Sequence, residues 1–163
     1  MPCDKLLAYL DANHVEYEMV AHPPAYAARE VAAKAGVPGC AFAKAVVVSL
    51  DGRMAMAVLP AEHKISFNQL RDAAGAETIS LAVEDEFATR FPDCELGAMP
   101  PFGNLYDMAV YVDDHLLDVD TISFNAGTHA EVITMAYRDF ARLVQPQIAR
   151  FTFRPLQEFK AWS

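Results

Sequence analysis

The fold is decided by the stretch KAVVVSLDGRMAMAVL, residues 44–59. Two apolar, strand-like runs flank Asp51-Gly52, a dipeptide that is the strongest short-range signal for a tight β-hairpin. The stretch therefore predicts two antiparallel strands, Lys44–Leu50 and Met54–Leu59. We expect this hairpin to form the centre of a sheet.

Upstream of the hairpin, the sequence predicts a helix, a strand and a second helix. Leucines recur at helical spacing after Asp4, which we expect to cap a helix that ends near residues 13–14. Apolar and acidic residues alternate over 15–19, a pattern typical of a half-buried strand. Residues 27–35 are rich in helix formers, and Gly36 supplies a C-terminal stop.

Downstream of the hairpin, helical and strand-like patterns interleave. In chain order they predict a helix capped by Ser66 and running to 74, a strand over 78–81, a helix over 83–91, a second hairpin of strands 108–112 and 116–119, strands over 122–124 and 131–135, and a helix over 137–144. Because several strands join by tight turns, we expect an α/β fold with a mixed, largely antiparallel central sheet flanked by helices.

Composition indicates one compact domain over residues 1–163. The chain is 53% hydrophobic and 21% charged, which suits a globular protein with its own core. No apolar run approaches the roughly 20 residues that cross a bilayer, and Asp4, Lys5 and Asp11 interrupt the N-terminus where a secretory signal would be apolar. We therefore expect a cytoplasmic protein without a membrane partner.

The cysteines do not indicate a metal centre. Cys3, Cys40 and Cys94 are odd in number and widely spaced, so we expect reduced thiols rather than a disulfide framework or a zinc site. We expect neither a metal nor another cofactor.

The charge distribution restricts any nucleic-acid partner. The net charge of −9 divides into −2 over residues 1–80 and −7 over residues 81–163. Because Lys and Arg contacts to phosphates dominate nucleic-acid affinity, the C-terminal half should repel a polyanion. DNA is not expected as a partner, and an RNA would be met on the N-terminal half.

Two short stretches place glycine and proline where backbone must approach another group closely. The loop GAMPPFG, residues 97–103, is stiff at its two prolines and permissive at Gly97 and Gly103. The turn FNAGTH, residues 124–129, is unusually polar between two apolar strands and ends on His129. His129-Ala-Glu131 also matches half of a zinc deaminase motif, but the downstream Pro-Cys-x-x-Cys is missing, so we reject that interpretation.

Lys44 is the third candidate, because a cation that opens an apolar strand must reach either solvent or an anion. A functional lysine here would hold a phosphate or a polarised ester oxygen. Cysteine and serine nucleophiles are not supported, since no Cys/His spacing and no Gly-x-Ser-x-Gly is present.

Together, these motifs resemble the YbaK-type, prolyl-tRNA synthetase-associated family of aminoacyl-tRNA editing domains, over about residues 22–144. The matching features are Lys44 at a central strand, Gly97 to Pro101 followed by Phe102-Gly103, and Gly127-Thr128-His129. The resemblance implies a barrel-like fold.

The resemblance also implies roles for individual residues. Gly97 and Pro101 would shape an aminoacyl pocket, with Gly97 positioning water or substrate, while Lys44 contacts the tRNA 3′ end. His129 would be catalytic or line the pocket. The remaining substrate-binding candidates are Phe102, Gly103, Asn125, Gly127, Thr128 and Tyr26.

The implied function is that of a freestanding trans-editing deacylase, which hydrolyses the ester of a mischarged tRNA carrying a small amino acid such as Ala, Ser or Cys. An aminoacyl-tRNA synthetase is a further candidate partner. The alternative is a non-catalytic module that senses aminoacylated RNA or docks on a synthetase. An unrelated small-molecule hydrolase is disfavoured, because no nucleophile with its base is visible.

Overall fold

The computed structural model describes residues 3–155, which form five α-helices, three short 3₁₀ helices and ten strands. The helices are α1 (Asp4–Ala12), α2 (Ala28–Ala35), α3 (Phe67–Ala74), α4 (Glu84–Phe87) and α5 (Tyr137–Val144). The strands are β1 (Tyr17–Ala21), β2 (Ala43–Leu50), β3 (Arg53–Pro60), β4 (Lys64–Ile65), β5 (Ile79–Leu81), β6 (Ala109–Asp113), β7 (Thr121–Asn125), β8 (Glu131–Ala136), β9 (Gln147–Ala149) and β10 (Thr152–Phe153). Within these residues, no helix is long and apolar enough to cross a membrane.

The hairpin predicted from residues 44–59 is confirmed and lies inside a five-stranded sheet of order β5-β2-β3-β6-β9. Its turn residues Asp51 and Gly52 both have positive φ, as a two-residue hairpin turn requires. The pairs β5-β2 and β2-β3 are antiparallel, whereas β3-β6 and β6-β9 are parallel. The sheet is therefore mixed, as expected.

A second sheet, of order β1-β8-β7, is entirely antiparallel, and β10 pairs with β4 in a third. An isolated parallel bridge between Phe42 and Ser123 joins the entry of β2 to β7. Among residues 3–155 the five-stranded sheet ends at β5 and β9, so the barrel-like closure implied by the resemblance is not seen.

The main core fills the space between the two larger sheets. It takes apolar residues from one face of β2, β3 and β6, from β7 and β8, and from helices α1 and α5. Phe102 lies at its centre, with its ring centroid 5.5 Å from that of Phe124 and 5.4 Å from that of Phe140. Aromatic packing of this kind fixes the end of the 97–103 loop against the sheet.

The predicted second hairpin is wrong in its second half. Strand 108–112 exists as β6, but residues Asp114–Asp118 form a 3₁₀ helix rather than a strand. The cause is Asp113, whose carboxylate accepts hydrogen bonds from the backbone N–H and the ring Nδ1 of His115. This local cap turns the chain into a helix where the apolar pattern alone indicates a strand.

The other differences lie at element ends. β1 begins two residues later than expected, the helix over 83–91 divides into α4 and a 3₁₀ turn, and Cys3 rather than Asp4 precedes the first helical residue. The Ser66 cap is confirmed, since its hydroxyl accepts from the backbone N–H of Gln69. Gly36 ends α2 in the left-handed conformation, as its position predicted.

Asp113 is a buried carboxylate that ties β6 to the start of β10. Its side chain is 0% exposed and accepts from the backbone N–H of Phe151 at 3.0 Å. Burial raises the pKa of Asp113, but hydrogen bonds from Phe151, His115 and Thr152 outweigh burial and hold it below its ordinary value. The charged form therefore stabilises the fold, fully above the unfolded-state pKa of about 4, and this contribution is lost as pH falls through the folded-state pKa.

We expect Asp113→Asn to lower the free energy of unfolding at pH 7 by about 2–4 kcal/mol, because buried donors lose a charged acceptor. Urea denaturation measures this difference, which should shrink below about pH 4. The matched control is Asp114→Asn, which breaks a 3.0 Å pair with the exposed Arg150 and should cost less than about 1 kcal/mol. If both variants lost the same free energy of unfolding, the buried hydrogen bonds of Asp113 would not stabilise the fold more than the exposed pair of Asp114 does.

Candidate functional site

The structure brings Gly97 and His129 together, although they are 32 positions apart in sequence. The ring Nε2 of His129 donates to the carbonyl of Leu96 at 2.8 Å, and its backbone N–H donates to Glu95 Oε1 at 2.6 Å. The backbone N–H of Glu95 in turn donates to the carbonyl of Gly127 at 2.8 Å. The segment 95–97 and the turn 125–129 therefore form one hydrogen-bonded unit.

Glycine is required at both ends of this unit. Gly97 has φ +85°, and a Cβ built on it would lie 3.4 Å from Cε1 of His129. Gly127 has φ +99°, and a Cβ there would lie 2.8 Å from the Cβ of Cys3. A side chain would be strained by the positive φ at both positions, and at Gly127 it would also clash with Cys3.

His129 has one ring nitrogen committed and one available. Because a carbonyl only accepts, Nε2 carries the proton in its bond to Leu96, which leaves Nδ1 as an acceptor in the neutral ring. Nδ1 is buried and has no hydrogen-bond partner among residues 3–155. The ring of Tyr26 packs against that of His129 with centroids 4.6 Å apart and is itself 72% exposed.

Asn125 and Thr128 have different surroundings within the turn. Asn125 is 8% exposed, and its Oδ1 is buried without a partner in the described part of the chain. An acceptor left in this state is costly unless a bound group satisfies it. The Thr128 hydroxyl donates to Glu131 Oε1 at 3.1 Å and accepts from the backbone N–H of Ala130. Thr128 therefore holds the turn, while Asn125 has unused hydrogen-bonding capacity.

Lys44 lies at the start of β2, just after the bridge that joins the two larger sheets. The parallel bridge joins Phe42 to Ser123, so Lys44 and Asn125 are each two residues further along strands that run in the same direction. This register places Lys44 on the Asn125 side of the junction.

The surroundings of Lys44 are positively charged. Burial lowers the pKa of its ammonium group, and the nearby charges of Lys64 and Arg29 lower it further. No ion pair to any of these three cations forms within residues 3–155. In a chain of net charge −9, this basic cluster of Arg29, Lys44 and Lys64 is a local concentration of positive charge.

The second half of the 97–103 loop is buried. Pro101 and Phe102 are in the interior, and a Cβ built on Gly103 would lie 2.7 Å from Cγ2 of Val110. These residues pack the end of the loop against β6, and their side chains are not on the surface. Only the Gly97 end reaches the unit that contains His129.

Sequence reasoning missed Glu95 and Leu96, which hold His129 on both its backbone and its ring. Neither lies in a motif, and Leu96 acts through its carbonyl, which every residue possesses. A long-range contact of this kind leaves no periodic signal in the sequence.

The sequence matches a known protein family over most of its length. Residues 22–143 match the family described as the aminoacyl-tRNA editing domain. The chain is 27% identical over 152 residues to the Escherichia coli K12 protein named multifunctional Ser/Thr-tRNA deacylase ProXp-y, and the match covers 90% of each chain. It is also 25% identical over 103 residues to a Bacillus cereus proline–tRNA ligase, covering 63% of this chain but 18% of the ligase.

Among solved structures, the chain resembles a candidate trans-editing enzyme for prolyl tRNA synthetase. The TM-score is 0.80, the sequence identity is 17%, and the match covers 93% of this chain and 96% of the other. At this identity the likeness concerns the fold alone. Since the family match extends over three quarters of the sequence, the chain belongs to the aminoacyl-tRNA editing domain family.

Proposed function

We propose that this protein is an aminoacyl-tRNA deacylase that hydrolyses the ester bond of a mischarged tRNA. One observation carries the proposal: the family match over residues 22–143 contains every group described at the site, from Lys44 to His129. The Escherichia coli relative named as a Ser/Thr-tRNA deacylase aligns over nine tenths of both chains, which supports the same reaction class.

The reaction requires a positioned water rather than a strong nucleophile, because an aminoacyl ester is already activated. Water attacks the ester carbonyl, a tetrahedral oxyanion forms, and the 3′-terminal ribose oxygen leaves with a proton. Holding the water against the carbonyl can lower the barrier by about 7–11 kcal/mol at best, and each aimed donor adds about 3–4 kcal/mol. The absence of a Ser or Cys triad in the motifs therefore does not count against hydrolysis.

In this proposal, substrate binding uncovers His129 Nδ1, which then accepts a proton from the attacking water and returns it to the leaving ribose oxygen. The bond from Nε2 to Leu96 fixes the tautomer that leaves Nδ1 free, in the way a third group orients a catalytic base. Backbone groups at Gly97 position the water or the ester. Tyr26 and Gly127 would border the aminoacyl pocket beside Gly97 and His129. Four further residues would pack beneath this pocket and hold its shape: Pro101, Phe102, Gly103 and Thr128.

The basic cluster supplies a docking point for the RNA. Arg29 and Lys64 are exposed and Lys44 is half-buried, so all three can approach the phosphates of the tRNA 3′ end. The acidic C-terminal half would keep the rest of the polyanion away. Because a Bacillus cereus proline–tRNA ligase carries a related segment, a prolyl-tRNA synthetase is the proposed protein partner.

Asn125 is proposed to recognise the aminoacyl group. Its buried Oδ1 can accept a hydrogen bond from the α-ammonium group, which every aminoacyl substrate carries. This contact selects for an aminoacyl ester without choosing the side chain. A small amino acid is proposed as the substrate, since the relative acts on Ser- and Thr-tRNA by its name.

The test is a deacylation assay of the purified chain on tRNAs mischarged with Ala, Ser, Thr or Cys, with Phe-tRNA as the bulky control. We expect hydrolysis of at least one small aminoacyl ester well above the uncatalysed rate and none of Phe-tRNA. Turnover of no substrate would contradict the proposal. Recovery of a synthetase in a pull-down, without hydrolysis, would instead favour the non-catalytic module.

A further inference from the structure

A cluster of sulfur and oxygen donors lies directly beside the candidate site. Cys3 Sγ is 3.1 Å from Asp93 Oδ2, and Cys94 Sγ is 4.0 Å from Asp93 Oδ1. The hydroxyl of Tyr106 is 3.2 Å from Cys3 Sγ and 3.5 Å from Cys94 Sγ. Cys3 is fully buried, Cys94 is half-buried and Asp93 is exposed. Residues 91 positions apart thus converge on one point.

We propose that Cys3, Asp93 and Cys94 form a binding site for a thiophilic divalent metal ion, Zn²⁺ in the first instance, with an open fourth position. The proposal replaces the expectation that Cys3 and Cys94 are reduced thiols outside any metal site. It does not depend on the deacylase function, because metal binding is measured directly.

The distances suit a tetrahedral ion. Zn–S bonds of about 2.3 Å and Zn–O bonds of about 2.0–2.2 Å give ligand-to-ligand separations of roughly 3.5–3.8 Å in a tetrahedron. The two measured sulfur–oxygen separations, 3.1 and 4.0 Å, bracket this range. One ligand atom from each of the three residues lies within 4.8 Å of the others, so small side-chain movements bring all three onto one ion.

The remaining contacts support metal-bound thiolates. The Tyr106 hydroxyl reaches both sulfurs and can donate to a thiolate, which is the usual task of a group just outside the ligand set. The ammonium of Lys5 lies 4.7 Å from the centre of the Tyr106 ring.

Metal binding would release protons from the thiols. Cysteine binds an ion as the thiolate, so a thiol that still carries its proton must lose it when the metal binds. We therefore expect metal affinity to rise with pH between 6 and 8, as it does at other thiolate sites.

The position of the cluster gives the ion a structural role. The backbone N–H of Cys3 donates to the carbonyl of Ala126 at 2.7 Å, next to Gly127. Cys94 directly precedes Glu95, which holds His129. A metal that joins the two cysteines would therefore clamp the start of the chain and the 95–97 segment onto the same turn.

The test uses the full chain, reduced with a phosphine and titrated anaerobically with Co²⁺, followed by displacement with Zn²⁺. We expect one equivalent of Co²⁺, a thiolate-to-cobalt charge-transfer band, tetrahedral d–d absorption, and loss of all three signals on adding Zn²⁺. Cys3→Ser and Cys94→Ser should each weaken binding at least 100-fold, and Asp93→Asn about tenfold.

The exposed thiol of Cys40 supplies the matched control. Cys40→Ser should bind Co²⁺ within twofold of the unmodified chain and with the same spectrum. The proposal is overturned if the reduced chain shows no charge-transfer band, or if Cys94→Ser binds as tightly as Cys40→Ser. Circular dichroism of each variant shows that it is folded, and Asp93→Asn, which keeps both thiols, tests the site if a cysteine variant does not fold.

Discussion

Lys44→Met is expected to lower the deacylation rate by about 10²–10³-fold while the protein stays folded. A charged donor aimed at the reacting end of a substrate contributes about 3–4 kcal/mol to the transition state, which corresponds to this loss. Methionine keeps the length and the apolar part of the side chain, so packing at the start of β2 is preserved. Single-turnover rates on mischarged tRNA measure the effect.

The stability of this variant should move in the opposite direction. Burial, together with the charges of Lys64 and Arg29, lowers the pKa of Lys44, which means that the folded protein disfavours the charged form. This cost is present at pH 7 and disappears as pH rises through the folded-state pKa. Removing the charge should therefore leave Tm unchanged or slightly higher, and an anion bound to Lys44 would relieve the same cost.

The matched control for Lys44 is Lys34→Met in α2, where the side chain is exposed and lies in the last turn. It removes the same charge from the same half of the chain, and activity should stay within about threefold because long-range charge effects are screened by salt. If Lys44→Met kept the full deacylation rate, or if Lys34→Met lost as much of it, Lys44 would have no specific role in the reaction.

Gly97→Ala is expected to lower deacylation by about 100-fold and stability by about 1–2 kcal/mol. The backbone at Gly97 has φ +85°, which strains any residue with a side chain, and the added Cβ touches Cε1 of His129 at 3.4 Å, so relief of this strain moves the loop relative to the ring. A displacement of about 1 Å near a reacting group can cost about 10²-fold in rate. Rate measurements and urea denaturation on the same preparation separate the two effects.

Gly75→Ala is the control for backbone strain alone. Gly75 has φ +69°, close to that of Gly97, but a Cβ there would meet nothing within 4 Å. We expect the same loss of stability with no more than a twofold change in rate. If both glycine variants lose activity alike, the effect of Gly97→Ala comes from strain and not from its contact with His129.

Local rules predicted much of this fold from the sequence. Asp51-Gly52 specifies its hairpin turn because both residues tolerate positive φ, and Ser66 and Gly36 mark helix ends by hydrogen bonding and by left-handed backbone. Each of these signals is complete within a few residues, which is why the structure confirms them.

The remaining features depend on partners distant in sequence or on competition between local interactions. The 3₁₀ helix at 114–118 forms because the Asp113 carboxylate caps it, against an apolar pattern typical of a strand. Cys3 and Cys94 meet only because α1 packs beside the 126–127 turn. The sequence indicates neither event, because spacing does not report which segments the topology brings together.

The basic cluster around Lys44 has a kinetic consequence. Three clustered cations on a chain of net negative charge offer a polyanion a short contact region, so few counterions would be released on docking. If the tRNA docks on this cluster, as proposed, we expect it to dissociate quickly after its aminoacyl ester is hydrolysed. Brief residence suits a protein that must sample many tRNAs and retain none of them.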